Sequence, residues 1–179
     1  MGRIFLVALS IALWACSDSA TLDIDRRLLT EVRKGDVGAV QDLLDQGAHV
    51  NGASGNVPLV EAALGGQTTI ARKLIERGAA VDIRSALGNT PATAAATSGH
   101  LDMLRLLLAS KADPNLRTAD GWAPLQIAAR KGHLGMVQEL LANGADVDAK
   151  LPDGNTALSW AKSEGYDSIA TLLEGAAAK

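Results

Sequence analysis

Few side chains in this sequence are of a kind that does covalent or metal chemistry. There are three histidines, His49, His100 and His133, and one cysteine, Cys16. His100 and His133 each follow a glycine directly and lead into an apolar segment, so both read as supports for a turn rather than as a base or a ligand. His49 falls in a stretch expected to form a hairpin strand and has no acidic or histidine companion at metal-ligand spacing. Asp146 and Asp148 would suit a calcium loop, but Asn51, Asp82, Asp113 and Asn115 recur at the equivalent places, which points to turn polarity instead. No Gly-rich phosphate loop, His-Glu-x-x-His or Gly-x-Ser-x-Gly motif occurs. The expectation is a chain that is not an enzyme and takes no metal or cofactor.

The cysteine belongs to a different kind of chemistry. Arg3 is followed by an uncharged apolar run from Ile4 to Ala15, the layout of a secretory signal peptide. At about a dozen residues, the run falls short of the roughly 20 that cross a bilayer. Leu13-Trp14-Ala15-Cys16 resembles the lipobox of bacterial lipoproteins, departing from it at Trp14, where that family has a small or modest residue. The resemblance implies removal of 1–15, lipidation of Cys16 and a place in the bacterial cell envelope on the periplasmic side. Ser17, not being Asp, points within that family to the outer membrane. Several acyl chains anchor a protein stably where one does not. Residues 16–23 then act as a short tether, of which Ser17 to Leu22 spans at most about 20 Å.

The elements that must position everything else are set by a repeat. Gly55-Asn56-Val57-Pro58-Leu59, Gly88-Asn89-Thr90-Pro91-Ala92, Gly121-Trp122-Ala123-Pro124-Leu125 and Gly154-Asn155-Thr156-Ala157-Leu158 keep one register, and Gly66, Gly99, Gly132 and Gly165 keep the same step. A third marker recurs as Gly47-Ala48, Gly78-Ala79, Lys111-Ala112 and Gly144-Ala145. Pro58, Pro91 and Pro124 suit the first turn of a helix. Leu101, Leu104, Leu107 and Leu108, with Leu134, Val137, Leu140 and Leu141, give second helices whose apolar faces can be buried only against neighbouring units.

At these residues the sequence resembles the ankyrin-repeat family over residues 24–175, as five units of which the first lacks its opening turn and the last stops early. The resemblance implies an all-α solenoid of stacked helix-turn-helix units with short β-hairpin loops, and end units that cap the stack. Residues 176–179 are expected to fray. The family's histidine after Pro-Leu is absent, its place taken by Val60, Thr93, Gln126 and Ser159, and modest stability is expected. Lys111 stands where a left-handed glycine is expected, at a cost of about 1 kcal/mol. The step from Gly47 to Gly78 is short, which calls for a tighter first hairpin.

Hydrophobic residues make up 47% of the chain and aromatics 3%, so the core must be Ala, Leu, Val and Ile; the net charge of −3 argues against nucleic acid as a partner. The resemblance implies binding of a protein partner by a monomer through the concave face and hairpin tips. Carried over by position, the tips offer Asn56, Leu87, Asn89, Asp120, Trp122, Asp153 and Asn155, and the helix ends offer Arg130 and Lys131. Trp122 stands out because its equivalents are Asn56, Asn89 and Asn155, so the repeat demands no ring there. Trp is typical of interface hot spots, and Arg130-Lys131 suits an acidic partner. Trp160 is read as end-cap packing. A different class of role, immunity against a secreted toxin or an accessory part in oxidant defence, would act through the same binding surface.

Overall fold

Short helices, three of them led by proline, alternate with longer apolar ones along the described chain, which in this computed structural model comprises residues 21–53 and 55–178. The signal segment, Cys16 and the tether up to residue 20 lie outside the described residues. The first unit begins with α1, covering residues 21–34, and α2, Val37–Asp45. The pairs α3 (Pro58–Leu64) and α4 (Thr68–Glu76), α5 (Pro91–Ser98) and α6 (Leu101–Ala109), α7 (Pro124–Arg130) and α8 (Leu134–Ala142), and α9 (Ala157–Ser163) and α10 (Asp167–Ala177) follow. The last helix carries Ala176 and Ala177, where the sequence suggested a frayed tail; alanine is the best helix former and extends α10.

Each second helix buries one stripe, as in α6 with Met103, Leu104, Leu107 and Leu108. The first helices are slimmer. α5 buries Ala92, Ala94, Ala95 and Ala96 between α3 and α7, so backbones approach closely along the row α3, α5, α7, α9. The row α4, α6, α8 packs less tightly. A stack that is tight along one row and looser along the other bends toward the tight row, which puts the first helices on the inside of the curve.

The connecting loops are turns rather than β-hairpins, since among the described residues no strand forms. They are too short for a ladder: each full loop closes with one cross-bond, Ser85 N–H to Asn89 O, Thr118 N–H to Trp122 O or Leu151 N–H to Asn155 O (2.8–2.9 Å). Gly55, Gly88 and Gly121 form the regular row that the repeat demands. A Cβ on Gly88 would lie 2.5 Å from Ala119 Cβ of the next loop, and one on Gly55 2.7 Å from Ala86 Cβ. The first loop, residues 46–57, is shorter than its counterparts at 77–90, 110–123 and 143–156. Its tight path uses Gly52, where a Cβ would meet the Asn56 carbonyl at 1.9 Å.

Lys111 has φ of 72° and is the one non-glycine residue in the left-handed region among the described residues. At its equivalents Gly47, Gly78 and Gly144 a Cβ would meet nothing within 4 Å, so the cost at Lys111 is one of backbone conformation alone. The substitutes for the family histidine divide by reach. Thr93 and Ser159 close capping boxes with Thr90 and Thr156 inside their own turns. Gln126, fully buried, accepts from the Ala123 N–H (2.9 Å) and donates to the Ala149 carbonyl of the following loop (2.8 Å). It thereby links two units.

Candidate binding surface

Along the outer side of the loops, a side chain of one unit accepts a backbone N–H of the next: Asn51 from Ala80, Asp82 from Asp113, and Asn115 from Asp146. These residues are structural rungs. Arg84 reaches the carbonyls of Gly88 and Arg117, and Arg117 those of Gly121 and Lys150, so both guanidiniums staple consecutive loops. One more such rung precedes these, at His49, which lies in a loop rather than a hairpin strand and has in Asp25 an acidic companion that is not at metal-ligand spacing. Its N–H donates to Asp25 Oδ1 (2.7 Å) and its Nδ1 stands 2.8 Å from Asp25 Oδ2. Asp25 is 4% exposed. A buried carboxylate needs such partners, and the spacing from residue 25 to residue 49 is outside anything a local metal pattern would test.

The other two histidines pack as turn supports. A Cβ on Gly66 would strike the His100 ring at 2.7 Å, and His100 Nε2 donates to the Leu64 carbonyl (3.0 Å). His133 lies against Gly99 in the same way. Burial first, and the nearby Lys131 charge second, push the His133 imidazole below its ordinary pKa. Tyr166 takes the same place against Gly132. Among the described residues no three His, Cys, Asp or Glu side chains converge on a point where a metal could sit.

On the inside of the curve, the ends of α5 and α7 and the loops before them enclose a recess of about 210 Å3. Asn89, Asp120, Trp122, Arg130 and Lys131 line it, and Thr97, Thr118 and Ile127 complete its walls. The remaining positions named from sequence lie elsewhere. Leu87 is 80% exposed at the loop tip and is not on the wall. Asn56 borders a separate hollow beside α1, with Leu22, Asp25 and Arg26. Asp153 accepts from the N–H and the Nδ2 of Asn155 (2.9 and 2.8 Å), and these bonds hold its carboxyl below the ordinary range. That pair is tied into its own turn.

One contributor was missed from the sequence. Trp160 does more than cap the stack: its ring lies 5.5 Å from that of Trp122, tilted by 39°. The Arg130 guanidinium carbon sits 5.1 Å from the Trp122 centroid and 4.7 Å from that of Trp160. The three groups form a triangle of cation–π and ring–ring contacts. The signal that would have found it is a neighbouring pair rather than a column. Counting back from the repeating glycines, Arg130 is equivalent to Arg33, and Trp160 to Glu61. Arg33 and Glu61 make a two-pronged ion pair, Nη2 to Oε1 at 2.8 Å and Nε to Oε2 at 3.1 Å. The same two places therefore meet at both ends of the stack.

A family model described as ankyrin repeats (3 copies) matches residues 28–118 and 110–179. The chain belongs to the ankyrin-repeat family. Ankyrin repeats generally mediate protein–protein interaction and typically act as binding modules rather than as enzymes. A search of curated proteins finds no match to this ankyrin chain. Among its described residues no helix is long and apolar enough to cross a membrane.

Proposed function

We propose that this ankyrin-repeat chain is a protein-binding module held at the bacterial envelope, on the periplasmic side, by lipid on Cys16, and that it takes its partner across the recess between α5 and α7. The observation that carries the binding part is the Trp122–Arg130–Trp160 triangle beside that recess. The repeat does not require any of the three, yet together they offer two partly exposed indoles and a cation on the inside of the curve, the residue types that dominate interface energies. Leu87, exposed at a loop tip away from the recess wall, would add a separate apolar contact. The envelope part rests on the Leu13-Trp14-Ala15-Cys16 sequence.

Cross-linking in intact cells followed by recovery of the tagged chain tests the binding reading. At least one envelope protein is expected to be recovered with the wild type and lost with Trp122→Ala, at unchanged thermal stability; equal recovery of every partner with both would end it. Metabolic labelling with a radioactive fatty acid tests the anchor. Label is expected on the wild type and absent from Cys16→Ala, which should leave the membrane fraction.

A further inference from the structure

Resting on the proposal that the recess is a docking site, we infer that it recognises a carboxylate, the side chain of an Asp or Glu in an acidic, extended segment of the partner protein. The argument comes from the two equivalent arginines. At Arg33 the neighbouring unit supplies Glu61, and the guanidinium fork is filled by that carboxylate from within the chain. At Arg130 the neighbouring unit supplies an indole instead. The Arg130 guanidinium carbon lies over the Trp160 ring, and among the described residues no hydrogen bond or ion pair uses its N–H donors, which are left to bond elsewhere. Among the described residues Arg130 has no ion-pair partner, whereas its equivalent Arg33 pairs with Glu61.

Of the two units that carry an arginine at this position, the first meets a carboxylate within the chain and the other does not, so a carboxylate for Arg130 has to come from outside. The walls set its charge. Arg130 and Lys131 are opposed by the exposed carboxylate of Asp120, so the recess offers about one net positive charge. That suits a single carboxylate and works against a doubly charged phosphate or a nucleic-acid backbone. Thr97, Thr118 and Asn89 add neutral polar groups, and Ile127 and Trp122 give an apolar floor for the methylenes of a glutamate.

The test uses the full chain in detergent with arginine side chains labelled with nitrogen-15. Titration with N-acetyl-glutamate methylamide should shift the Arg130 Nε–Hε signal, while the glutamine analogue leaves it in place. Selection from a random peptide library should enrich acidic segments, whose affinity falls at least fivefold in Arg130→Gln and with rising salt. Arg130→Glu with Lys131→Glu should reverse the preference toward basic peptides. Enrichment of non-acidic peptides that still depends on Trp122 would overturn the carboxylate assignment and leave the docking site standing. Tighter binding of a phosphoserine peptide than of its glutamate counterpart would overturn it as well. Failure to enrich any peptide, with no shift at Arg130, would overturn both readings.

Discussion

Arg33 and Arg130 occupy the same place in two units, and what each rests on differs. Arg33 is held by Glu61 through a charge-assisted fork that raises its already high pKa, hydrogen bonding being the larger cause. Arg130 rests on Trp122 and Trp160. The first arrangement is closed: its charges cancel within the chain and its surface has little to offer a partner. The second is open, since an indole steadies a cation without neutralising it. One difference in a neighbouring column, Trp160 in place of Glu61, thus separates a cation neutralised within the chain from the cation of the proposed docking site.

The comparison can be broken most strongly through Gln126, which fixes the loop that leads into α9 and so the position of Trp160. Gln126→Leu leaves the Ala123 N–H and the Ala149 carbonyl without their partner in a buried setting, and a loss of about 2–3 kcal/mol is expected in urea unfolding. A partner's affinity should fall with it. Next comes conversion of the open site into the closed one. Trp160→Glu is expected to draw Arg130 into an internal ion pair and to weaken partner binding by about 1.4 kcal/mol, a factor of ten by calorimetry. Its effect on folding should be a loss of about 1–2 kcal/mol in urea unfolding, from the lost burial of the half-buried ring.

Lys111→Gly lies outside both arrangements and sharpens the comparison as a control. It relieves the left-handed backbone with no steric change, so unfolding should require about 1 kcal/mol more with binding unaltered. The smallest effect belongs to Arg33→Ala, which removes a pair whose guanidinium is 59% exposed. A loss of about 0.5 kcal/mol in chemical denaturation is expected, with no change in partner affinity. A large change in either would mean that the two ends of the inner surface are not independent.

Much of this was legible in the residues. The glycine row could be read because Gly55, Gly88 and Gly121 face two demands at once, a left-handed backbone and the next loop within van der Waals distance, and only glycine meets both; Gly154 faces the first alone. The alanines of α5 and the leucines of α6 followed from the same periodicity. Five of the nine named binding positions line the recess because loop tips and helix ends of neighbouring units converge there. What stayed hidden crosses between units at an offset. Arg130 meets Trp160 and Arg33 meets Glu61 in places that are not equivalent to each other, so comparing like with like down a column misses the contact. The Asp25 clasp on His49 and the reach of Gln126 to Ala149 were hidden for the same reason.

Because the rungs along the loops join only successive units, nothing ties the last layer to the first, and such a stack loosens from its ends inward. The Trp122–Trp160 contact sits at the boundary between the fourth and fifth layers, the region that opens earliest on the carboxyl-terminal side. An occupant of the recess would therefore act as a clip on that end: amide exchange should slow in α9 and α10 when it arrives, while α1 and α2 keep the rates they had.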